Sequence, residues 1–553
     1  MSSPTELADG FNAKWLSVHP FAASYMGIPG YEDRVPDASE AGDDSWRAVV
    51  EAVLSETQRF EGVELTDADA VTLGCLVGHA QQELAELDSA AGEHVVTAMP
   101  FSGPAELLAV AARTVLPDSR AADDYLTRLR LSGAWIDQQV ERLRIGDGKG
   151  RLPVAPLVEQ AVSLAERVLD GPVPQAVVAP QPPVDWEGAA AWSEQRDALA
   201  TDVVKPALNR WLEELRELLP RARPPERAGL TYLPGGDADY ERAIRSHTTL
   251  PLTAEQLHRT GLDEIERLEG HARELGATLG FSDLASVHEA LGASAGATTP
   301  AEAMDAALHA IRRAELRLFE VFSPPLPDPC AVSPMPPLVA ASGMAPHYTP
   351  PRLDGTRPGT YWFNTAVPTA GAGWDLEGVA FHEAVPGHHL QFSRLQACSD
   401  LSEMQRQRYV TVYSEGWGLY AEQLAEEMGL YSGTEALLGA TAAALMRAAR
   451  LVIDTGLHAF GWSRDEALAF FVAHVPLPPQ FLASEVDRYI AWPGQALAYL
   501  TGKLEILRAR DEAQRRLGPT FSLPEFHAVL LDSGSVPMPV LHRNISRWIV
   551  RMS

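Results

Sequence analysis

The chain is poor in cysteine, poor in positive charge and free of long apolar runs. Its three cysteines, Cys75, Cys330 and Cys398, stand far apart and form no ligand pair. That argues against a disulfide framework and a thiolate metal cluster, and it suggests a reducing cytoplasm. Lys and Arg number 45 against 74 Asp and Glu, a net charge of −29. Phosphate backbones repel such a chain, so nucleic acid is not an expected partner. Anionic membrane surfaces are disfavoured for the same reason. No run approaches about 18 consecutive apolar residues, so no membrane-spanning helix is expected. The start, Met1 to Glu6, has neither a basic region nor an apolar core, so no signal peptide is expected.

What is present is helical periodicity over 553 residues, enough for two or three cores. The pattern runs from Phe11 to Met26, Ser45 to Leu87, Gly103 to Ile145, Pro153 to Leu169 and Trp186 to Leu219. Gly146 to Gly150 reads as a turn and Pro172 to Pro183 as a linker. Pro224-Pro225 closes an N-terminal helical lobe, residues 1–225. A catalytic lobe, 226–553, carries helices at about 237–246, 253–278 and 300–321. Between Pro324 and Pro351 ten residues are proline. The runs Leu338 to Ala341 and Thr360 to Asn364 have strand composition there, so a small sheet beside the helical body is expected. The fold class predicted is mainly α.

Within the helical pattern that follows stands Phe381-His382-Glu383-Ala384-Val385-Pro386-Gly387-His388-His389-Leu390-Gln391. Zinc peptidases place two histidines at i and i+4 on one helix, with a glutamate base at i+1. Here i+4 from His382 is Pro386, and the next histidines are at i+6 and i+7. On a regular helix i+6 points about 120° away, and i+7 lies roughly 10 Å along the axis. Pro386 removes a helical hydrogen bond and Gly387 permits unusual torsions, so a break is predicted there that re-aims His388. Whether His388 or His389 is the second ligand stays open on spacing alone. A second helix, begun by Asp400 and Glu403 and ended by Gly429, forms a hairpin turning near Leu401. Glu415, 14 residues after the turn, then falls beside His388, 13 before it. His382, His388 and Glu415 make a two-histidine, one-carboxylate metal set with an open position. The competing reading is surface polarity, a helix cap and an internal ion pair.

Residues 378–391, with Ser414-Glu415-Gly416-Trp417-Gly418-Leu419-Tyr420 after them, resemble the bacterial family of unknown function numbered 885, DUF885. The blocks Tyr489 to Tyr499 and Phe526 to Leu531 resemble it too, as do Asn12 to Ser39 and Tyr232 to Thr249. The resemblance implies a zincin-like metallopeptidase fold near the carboxypeptidase Taq and thimet oligopeptidase families: two helical lobes around a deep groove. It implies Zn2+ held by His382, His388 and Glu415, with Glu383 as general base. The Pro-Gly insertion departs from the plain peptidase motif and leaves another divalent metal open.

Amide hydrolysis also needs an oxyanion donor and a hold on the substrate backbone. Tyr499 is the first candidate donor and Tyr489 the second. The strand Tyr361 to Thr365, with Asn364, is expected to offer an edge to an extended peptide. Lys503, at i+4 from Tyr499, is a candidate for a substrate C-terminal carboxylate, with Arg352, Arg357 and Arg488 as rivals. His247, His347 and His527 are lesser candidates for the groove. Gln391 is placed to orient a ligand imidazole, and His389 is expected to point elsewhere. The reading is a cytoplasmic metal-dependent hydrolase of carboxypeptidase or oligopeptidase type, acting on short peptides or another small amide. The alternatives are a helical binding protein with a degenerate site and, ranked lower, a non-haem iron enzyme.

Overall fold

The computed structural model describes residues 3–294, 299–335, 340, 346–351, 357–364 and 375–553. They are mainly α-helical, with one three-stranded sheet. Helix starts follow local capping chemistry. Ser3 with Glu6, Thr253 with Gln256, Thr299 with Glu302 and Ser463 with Glu466 each form a reciprocal cap. Each such cap satisfies backbone N–H groups that the first helical turn leaves unpaired.

Several expected helices are broken where proline or turn residues intervene. The N-terminal one is two, Pro4–Val18 and Pro20–Met26. The 45–87 stretch is Glu40–Thr57 and Asp67–Ser89, and the 103–145 stretch is Gly103–Arg113 and Ser119–Gly148. The latter helix runs through most of the glycine-rich turn expected at 146–150.

Cores cross the expected lobe boundary at 225. Phe11, Trp46, Cys75 and Leu76 share one apolar cluster with Trp417, Phe526 and Trp548. Residues between Phe21 and Leu218 form another. The Thr434–His458 helix is long and apolar enough to cross a bilayer by composition. Of its most apolar window 78% is buried, and its Leu451, Val452 and Ile453 lie in a third core. It is the centre of that core, packed along Ala254–Thr278.

The sheet has the order β1-β3-β2, with β1 at Ala331–Pro334, β2 at His347–Thr349 and β3 at Thr360–Phe363. β1 runs parallel to β3, and β2 antiparallel to it, with Tyr348 opposite Tyr361. Of the run expected as a strand at 338–341, all but Ala340 lies outside the described residues. β3 is therefore the central strand, not an edge open to a peptide. Its Tyr361 is fully buried, and Asn364 just after it is buried with Nδ2 donating to the Ala340 carbonyl at 3.1 Å. β2 is the strand that faces the site.

Candidate metal centre

The helix carrying His382 and Glu383, Leu376–Glu383, stops one residue before Ala384. A new helix, His388–Ala397, begins after Gly387. The chain between them turns sharply enough that a β-carbon on Gly387 would lie 1.9 Å from the His382 carbonyl oxygen. Only glycine fits there. The break leaves carbonyls without helical partners, and Trp417 supplies one. Its indole N–H is 3.1 Å from the Pro386 and Gly387 oxygens.

Trp417 sits on the helix Thr411–Glu427, so this clamp fixes that helix against the break. Glu415, two residues before Trp417, is thereby delivered to the histidines. The expected continuous helix from Glu403 is instead a short piece, Glu403–Gln407, followed by Thr411–Glu427. Its cap is Ser402, which accepts from the Gln405 N–H. On the far side, the Thr411–Glu427 helix meets Ala498–Leu517 at Gly416 and Gly502. A β-carbon on Gly416 would come 2.5 Å from the Gly502 Cα.

His382 and His388 stand with ring centroids 4.8 Å apart and planes at 90°. Nε2 of His382 is 3.6 Å from Glu415 Oε2, and Nε2 of His388 is 3.9 Å from it. Donor atoms of the three residues all lie within 4.8 Å of one another. Two donors of a tetrahedral zinc ion with normal bond lengths stand about 3.4 Å apart. The present separations fit a divalent cation after small adjustments.

The other faces of the rings are held. His382 Nδ1 donates to Glu422 Oε1 at 2.8 Å, and His388 Nδ1 is 3.1 Å from Gln391 Oε1. Both Nε2 atoms are thus left for the shared centre. Glu422 is also 3.7 Å from the Arg447 guanidinium.

The electrostatics favour a cation. Burial works against charge on His382, yet hydrogen bonds to Glu415 and Glu422 and the charge of Glu383 together push its pKa up to about 10. Burial and the nearby His382 charge push His388 down to about 4. Burial, reinforced by Glu415 and opposed by His382, raises Glu383 to about 7. Three carboxylates around two imidazoles hold a proton where a metal ion fits.

A family model described as "Bacterial protein of unknown function (DUF885)" matches residues 20–545. The chain belongs to the DUF885 family. No curated protein matches it. Among solved structures, a candidate lipoprotein from Colwellia psychrerythraea is similar over 100% of both chains, with a TM-score of 0.90 and 25% identity. A candidate lipoprotein of unknown function from Shewanella oneidensis is similar over 98% of this chain and 99% of that one, with a TM-score of 0.73 and 18% identity. The latter likeness is one of fold.

The remaining residues singled out in this DUF885 chain divide clearly. Glu383 accepts the Tyr348 backbone N–H on Oε2 at 2.8 Å, which ties the site to β2. Tyr499 is half-buried and feels the charge of Glu415. Tyr489 does not reach the site. It is fully buried, donates to Glu485 Oε2 at 2.8 Å and accepts from Arg450 at 3.1 Å. Lys503 is surrounded by both signs of charge, Glu422, Glu264 and Glu426 against Arg267. His389 points away, with its nitrogens 3.0 Å from the Tyr348 hydroxyl and 2.6 Å from the Asp328 carbonyl.

Arg488 is taken up by Glu485 and Gln495, and Arg357 bonds the Pro350 carbonyl. Arg352 lies outside the described residues. His247 packs edge-on to Trp492, and His527 is buried between the Tyr420 hydroxyl and the Val321 carbonyl. His347 lies in β2.

Sequence reading missed Glu422. It is seven residues beyond Glu415, two helical turns on the same face, and that spacing was the available signal.

Proposed function

We propose that this protein is a metal-dependent hydrolase, a zinc peptidase acting on short peptides. The observation that carries the reading is the convergence of His382, His388 and Glu415, with Glu383 next in sequence to one of them and subject to its charge. A pure metal scaffold has no use for that further carboxylate. A divalent cation held there would polarise a substrate carbonyl and lower the pKa of a bound water towards about 7.

The protein's own groups supply the rest. Tyr348 N–H holds Oε2 of Glu383 and leaves Oε1 to take a proton from the attacking water. Glu383 then returns that proton to the leaving amine as the carbon–nitrogen bond breaks. A pKa raised by burial suits both transfers. Tyr499, which feels the charge of Glu415, would donate its hydroxyl to the oxygen that gains charge. For the substrate backbone, β2 replaces β3 as the strand beside the base, and an extended peptide laid along its outer edge would run past Glu383. Kinship with the carboxypeptidase Taq and thimet oligopeptidase families, inferred from the sequence motifs, supports peptides as the substrate class.

Metal analysis of the purified protein, with digestion of a peptide library by the wild type and by Glu383→Gln, tests this. The expected result is about one zinc per chain in both proteins, with cleavage in the wild type alone. Cleavage that survives chelation, or metal content unchanged in His382→Ala, overturns the reading. Bound iron with no hydrolysis would support the non-haem iron enzyme alternative.

A cytoplasmic setting belongs to this proposal. Cell fractionation checks it, and recovery in the membrane fraction, in keeping with the description of the structural neighbours, would overturn it.

A further inference from the structure

The second tyrosine considered as an oxyanion donor, Tyr489, is bound instead into a buried polar assembly around Glu485. Glu485 Oε2 accepts from the Tyr489 hydroxyl at 2.8 Å and from Arg450 Nη2 at 2.9 Å. Its two oxygens also take both arms of Arg488, each at 3.0 Å. Arg450 closes the ring by donating Nε–H to the Tyr489 hydroxyl at 3.1 Å. Every side chain named here is at most 17% exposed.

Two arms leave this assembly, and the one through Arg450 ends on Tyr499. The Arg450 guanidinium lies over the Tyr499 ring, 4.3 Å from its centroid. Arg488 Nη1 donates to Gln495 Oε1 at 2.5 Å, four residues before Tyr499. Arg450 Nη1 is buried with no hydrogen-bond partner.

The Arg450 guanidinium thus sets the plane of the phenol ring. The charge of this same Arg450 acts on both Glu415 and Tyr499.

We infer that Glu485 and Arg450 are positioning residues that hold the Tyr499 phenol at the reaction centre. This rests on the hydrolase reading for its consequence in catalysis, but not for its geometry. Arg450 touches no reacting atom. It works through Tyr499, so its loss costs rate only while the Tyr499 hydroxyl is present.

The test is a double-mutant cycle on the zinc-loaded full chain with a cleaved library peptide, together with crystal structures of the variants. Tyr499→Phe is expected to lower kcat about 100-fold. Arg450→Met is expected to lower kcat at least about tenfold, with KM within about twofold, and to add little in the Tyr499→Phe background. Arg450→Lys keeps the charge but not the plane, and is expected to recover only part of the loss. In the Arg450→Met crystal the phenol should leave its wild-type place, and metal content should be unchanged. Independent, fully additive losses overturn the inference, as does a Tyr499 that stays in place in both Arg450→Met and Glu485→Gln. If the wild type cleaves no peptide, the hydrolase reading fails, and the position of Tyr499 in those crystals still decides the inference.

Discussion

The His382 imidazole fills the space where a side chain on Gly418 would begin: a β-carbon there would stand 2.4 Å from His382 Cε1. The ring is therefore pressed against the backbone of the helix that supplies Glu415. Gly418→Ala should favour the helix by about 1 kcal/mol on propensity alone. It should nonetheless displace the ring and lower zinc affinity at least about tenfold. Competition with a chelator, beside circular dichroism to show a folded chain, checks this. Unchanged affinity would mean that His382 is no ligand or that the helices part easily.

Glu422 holds His382 from its other side. Glu422→Gln keeps the size but removes the ionised acceptor that fixes the ring and its tautomer. Zinc affinity should drop by about 10–100-fold, with the three donor residues intact. The same titration in Gln391→Ala should show a loss at His388 of similar kind. If neither variant changes affinity, these contacts serve packing alone.

A pH effect on stability is expected away from the site. Burial raises Glu106 to about 7 from an ordinary value near 4.5. The unfolded chain releases this proton first as pH rises, so the stability that Glu106 contributes is complete below 4.5. It is lost as pH climbs through 7. Glu106→Gln cannot ionise. Its melting temperature relative to wild type should therefore be higher at pH 8 than at pH 4.5. An equal difference at both values would show that Glu106 is freely hydrated.

Much of the centre is legible in the amino-acid sequence. The Pro386-Gly387 pair requires a helix break, and the hairpin arithmetic puts Glu415 opposite His388. Both follow from local covalent geometry, because proline lacks a donor and a helix advances by a fixed rise. The register survives even though the second helix starts eight residues later than expected, at Thr411. What preserves it is the Trp417 clamp on the broken turn, which pattern reading does not anticipate.

Other expectations fail for reasons of pairing. Thr360 to Phe363 has strand composition, but composition does not say which strand is central. β1 and β2 take both of its sides and bury Tyr361 and Asn364. Tyr489 and Tyr499 sit in one motif block, yet one is bound to Glu485 and the other lies under the Arg450 guanidinium and feels the charge of Glu415. Glu485, four residues before Tyr489 on the same helix, makes the distinction, while Arg450 from the Thr434–His458 helix contacts both.

The sequence by itself determined the helical class, the break at Pro386-Gly387 and the residue types able to bind a metal. These depend on periodicity, backbone chemistry and donor atoms, all local properties. Tertiary structure decided which nitrogen of His382 is free, through Glu422, and which tyrosine ring lies under the Arg450 guanidinium. Those choices are made by side chains distant in sequence, whose meeting is set by how whole helices pack.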